Sequence, residues 1–266
     1  MPKMTNPSDV VGQAVLAGVL ASLACGLGVL PLVLRRFDPV RHRGIGYGVA
    51  GGLMFAASVY NLILPGLSFG NGGWELWDVL PIVAGILLGA VFLTIAESRL
   101  HHRREPVADF LGPWGGRVGW LVFLAMTVHS IPEGVAVGVG YASDAVGASA
   151  DASLGPTLAL AIAIHNMPEG LAVAIPMRGG GSSLARCFAA AVVTSLPQPL
   201  AAVPAVLLAW FFQPIMPLLM GFSAGAMMFL IIMELIPAAL QTETPLRITW
   251  AFTAGFCLML LVQVAL

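Results

Sequence analysis

Long apolar runs separated by short polar segments organise this chain from end to end. A hydrocarbon core is crossed by about 20 apolar residues in a helix. By that measure eight spans emerge, roughly at 10–34, 45–68, 77–98, 118–140, 155–177, 184–211, 215–240 and 248–265. None shows the short segments of alternating polarity that a transmembrane β-barrel needs. In lipid each segment must satisfy its own backbone N–H and C=O groups, so runs of this length predict helices. The pattern predicts an all-α polytopic membrane protein, one domain over residues 1–266, built as an eight-helix bundle. Span 1 is longer than the apolar region of about 7–15 residues in a cleavable leader, and it reads as a helix.

Composition agrees. Of the residues, 58% are apolar and 9% charged, against about 25% charged in soluble domains. Too few charges remain to cover such a core in water, so soluble enzymes and disordered tails are excluded. A net charge of −1 leaves no basic footprint for nucleic acid. Cys25, Cys187 and Cys257 stand apart in apolar runs, with neither a CxxC motif nor a disulfide framework, and read as small buried apolar residues.

The cations set an orientation. Arg35, Arg36, Arg41 and Arg43 follow span 1, and Arg99, Arg103, Arg104 and Arg117 follow span 3. Arg178 and Arg186 follow span 5, and Arg247 follows span 7. Of the 12 basic residues only Lys3 falls on the other side, where Glu75, Asp78, Asp144 and Asp151 lie. The positive-inside rule then places both termini outside.

Ionisable residues inside the membrane are costly and mark function. Span 4 contains His129-Ser130-Ile131-Pro132-Glu133-Gly134, and span 5 contains His165-Asn166-Met167-Pro168-Glu169-Gly170. In each, His and Glu lie four residues apart, on one helix face. The two segments form a repeat on antiparallel spans, an inverted pair of the kind that holds substrate at the midplane of secondary transporters. Pro132 and Pro168 lack an N–H for the carbonyls of Val128 and Ile164, which predicts kinks there. Two imidazoles and two carboxylates suit Zn(II), Fe(II) or Mn(II). No cysteine lies near either motif in sequence, which argues against a tight structural zinc site. Two other classes stay open on these residues: an intramembrane zinc hydrolase, although HExxH is absent, and a bis-histidine haem protein using His129 and His165.

With both motifs in view, the chain resembles the ZIP (Zrt/Irt-like protein) family of divalent-metal transporters, in its bacterial branch, over nearly its whole length. The resemblance implies a carrier rather than an enzyme. It would import zinc, with iron, manganese or cadmium as further cargoes, across the cytoplasmic (inner) membrane of a bacterium. The divalent ion is the transported substrate, no organic cofactor is implied, and a homodimer stays open. By position, His129, Glu133, His165 and Glu169 would form the main site, with Met54 on span 2 as a thioether ligand. A second metal position in the family uses the residue after each His and a glutamate on the sixth helix. Here those places hold Ser130, Asn166 and Gln198, so that carboxylate is missing. Glu133 and Glu169 then balance a single dication, and one strongly held ion is expected. Glu97, Glu234, His101 and His102 are the candidates for a cytoplasmic exit. Asp144 and Asp151 read as solvated loop acids that attract cations at most.

Overall fold

The molecule, a computed structural model, is described over residues 6–33, 39–68, 75–102, 116–147 and 153–265. Its helices follow the apolar runs. Helix α1 spans Pro7–Leu27, with a 3-10 turn at Leu30–Val33. Helix α2 joins Pro39–Ala57 to Leu64–Leu67 through a π-turn at Ser58–Ile63. Helices α3, α4 and α5 are Leu76–His102, Gly116–Val146 and Leu154–Gly179. Helix α6 comes in two pieces, Leu184–Ser195 and Pro197–Phe211. Helix α7 runs Met216–Leu230, a π-turn Ile231–Leu235 and Ile236–Leu240. Helix α8 is Pro245–Ala265. Over the described residues, seven of these (all but α4) are long and apolar enough to cross a membrane.

Helices α4 and α5 run continuously through Pro132 and Pro168. The irregular backbone falls elsewhere, at the two π-turns and at Leu196. Pro197 has no N–H to continue the ladder, so the chain tightens there, and the Leu196 N–H bonds the Val193 carbonyl at 3.2 Å. Helix α3 extends past residue 98, so Glu97 lies within it rather than at its end. Helix α4 likewise outruns its apolar stretch, reaching Val146. At the far end of α5 a glycine-specific cap closes the helix. Gly181 has φ +88°, and the Ser182 N–H reaches back to the Met177 carbonyl at 3.0 Å.

Small residues set the spacing of the bundle. Gly85 and Gly89 of α3 lie against the backbone of α7, while Gly221 and Gly225 of α7 lie against that of α3. A Cβ at any of the four would collide with a carbonyl oxygen of the other helix. Membrane helices associate through such close backbone approach, since lipid supplies no hydrophobic drive between them. Gly134 and Gly138 do the same for α4 on α6, and Gly170 for α5 on Cys25 of α1. Helix α4 touches α1, α3, α5, α6 and α7, which puts it at the centre of the bundle. Cys25 and Cys187 are buried as expected, but Cys257 is exposed. It sits on the peripheral α8, where an apolar side chain faces outward without penalty in lipid.

Candidate metal site

Because α4 and α5 are unbroken, the four-residue spacing of each motif keeps its His and Glu one turn apart on a common face. Glu133 is 0% and Glu169 3% exposed, deep within the bundle. The side chains of His129 and His165 lie outside the described ones. Among the described residues, no trio of His, Cys, Asp and Glu gathers at metal-binding range. What the structure does show is the polar framework around the two carboxylates.

That framework crosses four helices. Asn166 Nδ2 donates to the Ala21 carbonyl of α1 at 3.1 Å and to Gln198 Oε1 of α6 at 3.1 Å. Gln198 Nε2 in turn donates to Glu133 Oε2 of α4. Asn166, Gln198 and Glu133 are each 0% exposed. Asn166 Oδ1 is buried and has no hydrogen-bond partner among the described residues. Buried polar atoms are almost always paired, so an orphaned carbonyl oxygen in the framework that reaches Glu133 fits a place where a cation binds. These oxygen donors, joined by the two imidazoles of the motifs, would suit the borderline ions named above.

The other expected site residues divide. Ser130 is buried, but its hydroxyl lies 3.0 Å from the Met126 carbonyl and 2.9 Å from the Thr194 carbonyl, against the backbone of α6. Met54 is fully buried on α2, which packs on α5, and its carbonyl accepts the Ser58 hydroxyl at 2.8 Å. Glu234 is half-buried on the π-turn of α7 that packs against α2. The side chains of Glu97, His101 and His102 lie outside the described ones, as do Lys3, Asp151 and the loop arginines Arg35, Arg36, Arg103 and Arg104. Asp144 is not a solvated loop acid. Its carboxylate accepts the backbone N–H of Leu154 at 3.0 Å and of Gly155 at 2.8 Å. It therefore caps the first turn of α5, where unpaired N–H groups and the positive end of the helix dipole favour an anion.

Three features had no signal in the motifs. The Ala21 carbonyl anchors the framework, yet any backbone could have done so. Cys25, remote in sequence from both motifs, is buried on α1 with its Sγ 3.2 Å from where a Gly170 Cβ would stand, so a thiol packs beside the residue that follows Glu169. Close packing of α1 on the α5 glycine Gly170 causes this. Asn61, on the π-turn of α2, is 1% exposed and neither of its amide atoms has a partner among the described residues. It was visible only as a lone polar residue in an apolar span.

Comparison with known proteins extends this picture. Residues 115–263 match the family model described as ZIP zinc transporter. The chain is 31% identical over 263 residues to the zinc transporter GufA of Myxococcus xanthus, covering 96% of this chain and 100% of that one. It is 35% identical over 263 residues to the zinc transporter ZIPB of Bordetella bronchiseptica, covering 96% and 82%. A longer Arabidopsis thaliana protein named for zinc transport is 37% identical over 256 residues, and there the chain spans 96% of itself but only 39% of the relative. These relatives are transporters by name, not enzymes, and neither the hydrolase nor the haem reading gains support. With a family match over more than half its length and, among the described residues, seven membrane-length helices, this multi-pass membrane chain belongs to the ZIP zinc transporter family.

Proposed function

We propose that the chain carries divalent transition-metal ions into the cytoplasm, zinc foremost, with iron, manganese and cadmium as further cargoes. The ion is held midway by His129 and Glu133 of α4 and His165 and Glu169 of α5, with Asn166 and Met54 beside them. The observation that carries the reading is the pair of buried carboxylates, 0% and 3% exposed, together with an Asn166 oxygen that has no protein partner among the described residues. Two ionised carboxylates in a low-dielectric bundle repel each other and have lost their hydration. A dication offsets both penalties, and its +2 balances their −2. Ligands of moderate strength let the ion leave again, as a carrier requires.

In this reading α4 is the eighth crossing, both termini face outward, and the membrane is the cytoplasmic membrane of a bacterium. The arginines between odd and even spans support that orientation, Arg178 and Arg186 flanking the α5–α6 turn among them. Glu234, on the π-turn of α7, is then a stepping stone on the cytoplasmic side. The test is uptake of a panel of divalent ions by the purified protein in liposomes. Glu169→Ala and His165→Ala are each expected to abolish uptake with the helical circular dichroism unchanged. Transport near the wild-type rate by both variants would rule the site out.

A further inference from the structure

Resting on the metal-site reading above, we infer that Gln198 is a positioning residue. Its amide donates to Glu133, commits one oxygen of that carboxylate, and so tilts the site towards small ions of low coordination number. Its orientation follows from forced assignments. The Ala21 carbonyl only accepts, so the Asn166 atom 3.1 Å from it is the amide nitrogen. That nitrogen lies 3.1 Å from Gln198, which must turn its oxygen towards Asn166. The Gln198 amide nitrogen is left facing Glu133 Oε2, an acceptor. Reversing either amide would set donor against donor or acceptor against acceptor.

The arm is also held at its base. Gln198 is the second residue of the restarted α6 segment Pro197–Phe211, and Gly134 seats the α4 backbone directly on it. Asn166, Gln198 and Glu133 are excluded from solvent, where a hydrogen bond to a charged acceptor is strong. With a lone pair of Oε2 taken up by the amide, Glu133 is biased towards ligating an ion through its other oxygen alone. Together with Glu169 and two imidazoles, that makes a four-ligand inner set, the geometry zinc adopts, with the Asn166 oxygen and the Met54 thioether standing outside it. Manganese and calcium instead ask for about six or more oxygen ligands. In this arrangement Gln198 acts on a ligand and is not one itself.

The test uses the full chain in nanodiscs, with Co2+ as the probe of geometry and competing Zn2+ and Mn2+ as the probe of preference. Gln198→Asn keeps an amide in the same place but shortens the arm by one methylene, withdrawing the donor from Glu133. The unmodified protein is expected to give the intense visible bands of four-coordinate Co2+. In Gln198→Asn the bands weaken towards higher coordination, and the preference for Zn2+ over Mn2+ falls about tenfold, the worth of one charged hydrogen bond. Gln198→Glu, which replaces the donor by a third carboxylate, lowers the preference at least as far. Unchanged bands and preference in both variants overturn the role of Gln198. Weak six-coordinate bands in the unmodified protein overturn it too, whether or not the variants fold. Failure of the underlying site looks different. If Glu169→Ala binds Co2+ as tightly as the unmodified protein, the metal site itself is wrong, and this inference falls with it.

Discussion

Gly134→Ala is the smallest change that reaches the site through packing alone. The added Cβ would lie 2.8 Å from Gln198 Cα and 2.9 Å from Ala201 Cβ, and would collide with the Gln198 carbonyl oxygen. Ordinary contact begins near 3.4 Å, so α6 must retreat from α4 by roughly 0.6 Å or more. Overpacking of this kind costs about 1–3 kcal/mol of stability. The retreat also draws Gln198 away from Glu133. A hydrogen bond to a charged group is worth about 1.5–3 kcal/mol, so zinc affinity is expected to fall roughly 10- to 150-fold. Gly138→Ala is the control. Its Cβ would lie 2.8 Å from Ala205 Cβ in the same helix pair, one turn farther from Gln198. Thermal melting with titration calorimetry separates the two effects. Both variants should melt lower, and Gly134→Ala should lose distinctly more zinc affinity. Equal affinity in Gly134→Ala and the unmodified protein, or equal losses in the two variants, would refute the link from Gly134 through Gln198 to the metal.

Three further outcomes are expected. Uptake should decline as the pH drops towards about 5, because protons compete with the metal for carboxylate and imidazole; zinc affinity that stays level between about pH 5 and 7.5 would contradict the ligand set. Glu234→Gln should slow transport more than it weakens zinc binding, since it removes a step on the path and leaves the main site intact; an equal loss of affinity by calorimetry would place Glu234 in the main site. Asn61→Leu should raise the melting temperature, because it removes a buried amide that has no partner among the described residues, a cost of about 1–3 kcal/mol; a lower melting temperature would mean that Asn61 has a structural partner.

Much of this protein was settled by local rules that need no tertiary information. Lipid admits no unpaired backbone, so a 20-residue apolar run has one outcome, and the helices fall where the runs do. The spacing of His129 to Glu133, and of His165 to Glu169, puts each pair on one face wherever the helix goes. What crosses between helices was not legible. Which carbonyl meets Asn166 depends on α1 sliding onto Gly170, and which atom of Gln198 meets Glu133 depends on Asn166 in turn. The same packing set Cys25 against Gly170, and a separate tertiary contact made Asp144 the cap of α5 rather than a loop acid. A proline removes one hydrogen bond wherever it stands, yet α6 is interrupted at Pro197 while α4 and α5 run through Pro132 and Pro168, each packed against neighbouring helices. Periodicity and hydration are properties of a segment; hydrogen-bond direction and ligand geometry arise only when several segments share a dry interior.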